Sequence, residues 1–244
     1  MEYILTDIHS HVLPCIDDGS DSMEKSLFLI KNMSFCGTKE LIVTPHYCVR
    51  RGYKPSKDNI LSCFENLKSE VLKKGIGVKL HCGCEIEYSS DIPSLLEEGK
   101  LLTLCGSKYI LLEFAPYTSV RDIINAVQDI VLLGFIPVLA HVERYPALKN
   151  NIEDIIQLKN IGAKIQVNID YVTSKLIFTD VFLKLLISMQ LIDFVAGDIH
   201  FNSYSSSQIK QCVRIIQKHS SSSYVKDVFY KNAEKILNTD EEKN

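Results

Sequence analysis

The chain alternates short runs of β-branched and aliphatic residues with longer stretches in which apolar positions recur every three or four residues. Runs of the first kind mark strands, and a period near 3.6 marks amphipathic helices. Tyr3 to Ile8 reads as a first strand, and Met23, Leu27, Ile30 and Met33 form a helical stripe that stops before Gly37, glycine being a natural helix-ending residue. Leu41 to Thr44 reads as a second strand, Ile60 to Leu72 as a helical face ended by Gly75, and Val78 to Ile86 as a third strand. Ile92 to Glu98 is a shorter helix, Tyr109 to Phe114 a fourth strand, Val120 to Leu133 a helix stopped at Gly134, and Ile136 to Ala140 a fifth strand. Ile152 to Lys159 is helical, Lys164 to Val167 a sixth strand, Val181 to Gln190 helical and Phe194 to Ala196 a seventh strand. Ser205 to Leu237 reads as two helices separated by Ser220 to Ser223, followed by a charged tail, about 238–244, expected to fray. No repeat, low-complexity stretch or linker interrupts the pattern, so residues 1–244 are expected to form one domain.

Strands alternating with helices imply an α/β fold with a parallel sheet, either open or closed into a barrel. The placement of chemically active residues separates the two. The first strand runs into Asp7-Ile8-His9-Ser10-His11, where alternate residues project to one side of an extended chain. His46 follows the second strand, Glu85 stands near the end of the third, Glu113 ends the fourth, His141 follows the fifth, and Asp198 and His200 follow the seventh. An open sheet would spread these residues along an edge, whereas a barrel converges them at its carboxyl face. A seven-stranded (β/α) barrel is therefore expected.

With Asp18 from the adjoining Asp17-Asp18-Gly19 turn, the inventory is five histidines and four carboxylates: His9, His11, His46, His141, His200, Asp18, Glu85, Glu113 and Asp198. Mixed imidazole and carboxylate sets suit zinc, manganese or iron, and nine donors exceed the needs of one ion. At least two divalent cations are implied, and three would leave an excess of positive charge over the four carboxylates. Such a site favours an anionic substrate, with a phosphate monoester as the leading candidate. Asp7 reads as a strand-end hydrogen bonder or partner of a ligand, and Asp17 as a turn former or such a partner; His81 and His219 lie off the pattern.

Composition removes several classes of function. With 27 Lys and Arg against 30 Asp and Glu the net charge is −3, which gives no field for nucleic acid or anionic membranes. The uncharged run from Ile130 to Val142 contains Gly134, Pro137 and His141 and is too short to span a bilayer. Glu2 and Asp7 stand where a secretory signal carries basic residues. A cytoplasmic chain is expected, its 8 cysteines reduced and mostly buried as small hydrophobes, with Cys82 and Cys84 as a weak soft-metal alternative. Cysteine-dependent tyrosine phosphatases need an arginine six positions after the nucleophile, and none of the cysteines has one.

The blocks Asp7-Ile8-His9-Ser10-His11, Asp17-Asp18-Gly19, Thr44-Pro45-His46, Gly83-Cys84-Glu85-Ile86, Leu112-Glu113-Phe114, His141-Val142-Glu143-Arg144-Tyr145 and Asp198-Ile199-His200 resemble the polymerase and histidinol phosphatase (PHP) family. Within it they resemble the bacterial protein-tyrosine phosphatases of capsular and exopolysaccharide loci, the CpsB, CapC and YwqE type. The resemblance implies a distorted PHP barrel with three metals, manganese first, with iron or zinc as alternatives. His9, His11, Glu85 and Asp198 would hold one, Glu85, Glu113 and His141 a second with Glu85 bridging, and Asp18, His46 and His200 a third. Arg144 would contact phosphate, rather than pair with Glu143 at the surface.

One departure stands out. Relatives often carry another arginine just beyond the last Asp-x-His, where this chain reads Phe201-Asn202-Ser203-Tyr204-Ser205. Arg50 and Arg51, in a polar and aromatic loop after His46, are the candidate substitutes for substrate binding. The expected nucleophile is a metal-bridging hydroxide, and no general acid is identified. Tyr47, Tyr53, Tyr88 and Tyr145 either line the mouth or pack the rim. The resemblance also implies a partner, the phosphorylated tyrosine-rich tail of a membrane-associated bacterial tyrosine kinase. The alternatives are a histidinol-phosphate phosphatase, an amidohydrolase-like enzyme, which commonly carries a lysine where Glu113 stands, or a non-catalytic metal-binding partner.

Overall fold

The computed structural model describes residues 4–149, 151–174 and 180–238. Tyr3 and all but the first residue of the expected tail, about 238–244, lie outside them. The strand segments are β1 (Leu5–Asp7), β2 (Thr38–Val43), β3 (His46–Tyr47), β4 (Lys79–Cys82), β5 (Glu85–Glu87), β6 (Tyr109–Glu113), β7 (Ile136–Leu139), β8 (Lys164–Asn168) and β9 (Phe194–Ala196). All pair in parallel, in the orders β1-β2-β4 and β3-β5-β6-β7-β8-β9. Because β3 prolongs β2 and β5 prolongs β4, these segments make the seven expected strands, two of them interrupted.

The interruptions correct the reading of an unbroken strand from Val78 to Ile86. Pro45 has no N–H to give the ladder, so the second strand breaks there. Beside it the third strand breaks at Gly83 and Cys84, where Gly83 N–H donates to Val43 O at 2.9 Å and Glu85 N–H to Pro45 O at 3.0 Å. These two bonds stitch the sheets together. At the other edge, Asp198 N–H donates to His9 O at 2.9 Å and His11 N–H to Ile199 O at 2.8 Å. The first and last strands are thus joined at their carboxyl ends, giving a distorted (β/α)7 arrangement.

Asp7 reinforces this junction by accepting the Gly197 N–H on both carboxylate oxygens, at 3.0 and 3.1 Å. A Cβ at position 197 would fall 2.6 Å from Asp7 Oδ2, so the approach requires glycine. The outer helices Met23–Phe35, Lys57–Lys73, Val120–Leu132, Ile152–Ile161, Val181–Ser188 and Ser206–His219 each begin at a side-chain cap. Ser22, Ser56, Ser119, Asn151, Asp180 and Ser205 accept backbone N–H groups there, which explains why the apolar stripes start where they do. No helix among the described residues is long and apolar enough to cross a membrane.

Two apolar clusters form. The larger lies between strands and helices, and the smaller, around Ile8, Ile42, Leu111, Val138, Ala140, Phe194 and Ala196, fills the interior of the strand ring. The segment after His219 departs from the single helix expected of it. It runs as Ser222–Lys226, a π-helical turn Asp227–Lys231 and Asn232–Leu237. The π turn packs against β1 and β9, and Asn232 Nδ2 donates to Asp193 O ahead of β9. Ala233 and Ile236 therefore enter the interior cluster from the amino ends of the strands and form its floor.

Ile236 is fully buried. Ile236→Ala should lower the free energy of unfolding by about 2–5 kcal/mol in a urea titration of the metal-free protein, and a loss below about 1 kcal/mol would show that this segment does not support the barrel.

Candidate metal centre

The nine side chains singled out at the strand ends meet at the carboxyl end of the barrel, in overlapping groups whose donor atoms lie within 4.8 Å of one another. Glu85 is at their centre. Its Oε1 lies 3.2 Å from His9 Nε2 and 2.9 Å from His141 Nε2, and its Oε2 lies 3.3 Å from His11 Nε2 and 2.9 Å from His46 Nδ1. Asp198 Oδ1 is 3.4 Å from His9, His11 and His200 alike. Asp18 Oδ1 is 3.4 Å from His46 Nε2 and 3.7 Å from His200 Nε2, while Glu113 lies 3.7 Å from both His46 and His141.

Local backbone features aim these groups. His141 and Asp198, each just past a strand, sit in the left-handed region with φ of 33° and 50°, a placement that costs an ordinary residue about 1–3 kcal/mol and persists where its surroundings hold it. Gly19 lets the Asp17-Asp18 turn press onto the first strand, since a Cβ there would lie 2.0 Å from His11 O. Asp17 is both turn former and partner. It accepts the Gly19 N–H at 3.0 Å, the His46 N–H at 2.9 Å and His11 Nδ1 at 2.8 Å. Asp7 orients no imidazole and instead takes the backbone N–H groups of His9 and Gly197. His81 pairs with Glu40, away from the cluster.

In this arrangement protons balance the negative charge. Burial alone opposes a charged His9, but Glu85 and Asp198 raise its pKa to about 9. Burial likewise opposes charge on His11, and Asp17, Asp198 and Glu85 raise it well above its ordinary value. Despite burial, the surrounding histidines hold Glu85 and Asp198 below the usual carboxylate range. Burial and the neighbouring Glu85 raise Glu113 to about 8, burial lowers His141, and burial with the nearby His11 lowers His200 to about 4.

The centre also fits a cation by what it leaves unsatisfied. Asp18 Oδ1, His46 Nε2, Glu85 Oε2 and Asp198 Oδ1 are buried without a hydrogen-bond partner. All four belong to the clustered donors, and buried polar atoms are rarely left so unless something else satisfies them. Cys84 is not a donor here, for its buried thiol gives its hydrogen to Pro45 O at 3.0 Å.

Three arginines surround the cluster differently. Half-exposed Arg144 reaches Asp198 Oδ2 at 2.6 Å, while the buried Glu143 faces inward and accepts the Asn168 N–H at 3.0 Å. Arg51 donates to Glu113 Oε2 at 2.8 Å and lies 3.0 Å from His46 Nδ1 and 3.4 Å from Asp18 Oδ2. Arg50 is drawn instead to Glu87. The turn carrying both arginines is pinned by paired backbone bonds between Cys48 and Tyr53, at 2.8 and 2.9 Å. Of the four tyrosines considered for the mouth, Tyr53 stacks on His46 with centroids 5.9 Å apart. Tyr145 is buried, with its hydroxyl accepting the Phe114 N–H at 3.0 Å and lying 3.5 Å from His141 Nδ1, and Tyr88 bonds Asp129.

Sequence reasoning missed Gln166 and Asn168, which contact His9, His141 and Asp198 from β8. Their signal was present in Gln166-Val167-Asn168, which repeats at the end of a strand the alternate spacing of His9-Ser10-His11.

The likeness to known proteins extends over nearly the whole chain. Over 240 residues the chain is 30% identical to the tyrosine-protein phosphatase CpsB of Streptococcus agalactiae, covering 96% of this chain and 98% of that one. It is 29% identical over 219 residues to the tyrosine-protein phosphatase YwqE of Bacillus subtilis, covering 88% and 84%. A crystal structure from work on YwqE from B. subtilis and CpsB from Streptococcus pneumoniae, described as unique metal-dependent tyrosine phosphatases, superposes with a TM-score of 0.85 at 27% identity over 96% of this chain and 95% of that one. The histidinol phosphate phosphatase of Lactococcus lactis shares the fold at a TM-score of 0.59 and 13% identity, over 88% of this chain and 94% of that one. The family model for capsular polysaccharide synthesis, CpsB/CapC, matches residues 5–238, and the chain belongs to that family.

Proposed function

We propose that this chain is a cytoplasmic, metal-dependent protein-tyrosine phosphatase, working as one PHP-type unit on the phosphorylated tyrosine-rich tail of a membrane-associated bacterial tyrosine kinase and so regulating capsular or exopolysaccharide synthesis. The observation that carries this reading is the cluster of nine donors around Glu85, with unsatisfied buried atoms inside and Arg51 and Arg144 beside it. Near full-length similarity to tyrosine phosphatases supports the reaction.

Three divalent cations, manganese first, match the donor inventory. His9, His11, Glu85 and Asp198 are assigned to one, Glu85, Glu113 and His141 to a second, and Asp18, His46 and His200 to a third. When bound, such cations supply Lewis acidity toward phosphoryl oxygens and make water a nucleophile at neutral pH. Glu85 would be shared between the first two, since its Oε1 lies beside both His9, assigned to one, and His141, assigned to the other. Arg144 and Arg51 carry fixed positive charge to the rim, where they bind phosphoryl oxygens and stabilise the charge gathered there during transfer. Arg50, held by Glu87, fixes the turn from which Arg51 reaches inward. Tyr53 offers a ring face beside His46 on which a substrate phenyl group can stack. A tyrosine leaving group has a pKa of about 10 and departs with little protonation, so the site needs no strong proton donor.

The deciding experiment compares turnover of a phosphotyrosine peptide with histidinol phosphate by the manganese-loaded protein, with His141→Ala as control. The peptide should be preferred and the variant inactive; preference for histidinol phosphate would move the chain to the alkyl-phosphate branch. Arg144→Ala and Arg51→Ala should each lower kcat/KM for the peptide roughly 100-fold, the scale of losing one preorganised charge-stabilising donor, with Arg50→Ala costing less. Adding manganese to the metal-free protein at pH 7 should release protons, because His9 and Glu113, raised to about 9 and about 8, and His11, raised well above its ordinary value, must each give up a proton to bind it. Calorimetry in buffers of different ionisation enthalpy reads that release, and affinity should rise with pH until these ligands have lost their protons.

A further inference from the structure

We propose that Gln166 and Asn168 are positioning residues of this centre, two buried amides that orient His9, His141 and Asp198 toward bound cations. The inference rests on the metal-ligand reading above and adds two residues that bind no cation themselves. Among the seven strands, β8 alone brings no imidazole or carboxylate to the carboxyl end. In that place stand Gln166 and Asn168, both buried.

A single backbone group sets the polarity of the whole network. His141 N–H can only donate, and it reaches Gln166 at 2.9 Å, so the atom there is the carbonyl oxygen Oε1. The same oxygen lies 3.1 Å from His9 Nδ1, which must therefore carry a proton. His9 Nε2, which faces Glu85 and Asp198, is then the nitrogen left to bind a cation once its proton is lost. With Oε1 committed, Gln166 Nε2 donates to Asn168 Oδ1 at 2.7 Å, which leaves Asn168 Nδ2 to donate to Asp198 Oδ2 at 2.9 Å.

The two residues anchored in this way, His141 and Asp198, are the two cluster members in the left-handed backbone region. Gln166 holds the backbone N–H of the first and Asn168 the side chain of the second. Amides suit the task because each offers one donor and one acceptor direction without adding charge. A carboxylate would compete for the cation, and a hydrocarbon would leave His9 Nδ1 and the His141 N–H without an acceptor.

Manganese(II) affinity, measured by chelator competition on the whole chain, tests the proposal for the parent, Gln166→Met, Asn168→Leu and Gln166→Asn, with the thermal midpoint of each metal-free protein alongside. Gln166→Met removes the acceptor of His9 and His141, and Asn168→Leu removes the donor to Asp198. Gln166→Asn keeps an uncharged amide but, one methylene shorter, draws its oxygen away from His9 Nδ1 and the His141 N–H. Each variant should bind manganese roughly 10–100-fold more weakly. Affinities within about twofold of the parent in folded variants overturn the proposal, whatever happens to the midpoints. Should the two apolar variants fail to fold, Gln166→Asn decides by the same criterion. A parent chain that takes up no manganese overturns the metal reading itself, and this inference with it.

Discussion

The molecule is organised around a carboxylate taken wholly out of water. Glu85 has no exposed surface, and an isolated buried carboxylate would be prohibitively costly. Four imidazoles answer it, two on each oxygen, and they arrive from three separate places in the chain. Parallel strands closed into a ring satisfy that geometry, because each strand delivers its terminal side chain to the same face. The short strands, the interruption at Gly83 and the left-handed residues after β7 and β9 all serve this convergence. A buried charge arrangement of this kind is poor evidence for stability and good evidence for a site.

Support for the centre is divided between two ends of the barrel. At the carboxyl end, Asp7 and Gly197 lock the first strand to the last, so His9 and His11 stand at a fixed distance from Asp198 and His200. At the amino end, Ala233 and Ile236 fill the interior from below. Between these layers the interior is apolar and excludes water beneath the cluster. The polar residues are therefore confined to one depth, where they meet one another and the arginines at the rim.

Much of this was legible in the sequence. Strand-end histidines and carboxylates announce themselves because their chemistry is rare in cores and their placement repeats from strand to strand. The longer helices were equally clear, since their apolar positions recur every three or four residues and several stop at a glycine such as Gly37, Gly75 or Gly134. The broken strands were not, because an apolar run carries no sign of which neighbour each half pairs with. Gln166 and Asn168 escaped notice for a related reason: amides are common at strand ends, and only their contacts distinguish these two. The divergence of Arg50 and Arg51 is set by a tight turn that places adjacent side chains on different sides, which composition does not reveal.

The junction between first and last strands also governs the order in which the molecule is made. His9 and His11 leave the ribosome early, yet their backbone partners are Asp198 and Ile199, and the barrel floor beneath them includes Ile236. A nascent chain ending before residue 190 holds five of the strand-end donors' strands but lacks Asp198, His200 and the closing bonds. Its histidines and carboxylates are then an open edge rather than a cage. Because domains are synthesised from the amino end and settle as units, the complete donor set assembles only after the seventh strand has emerged.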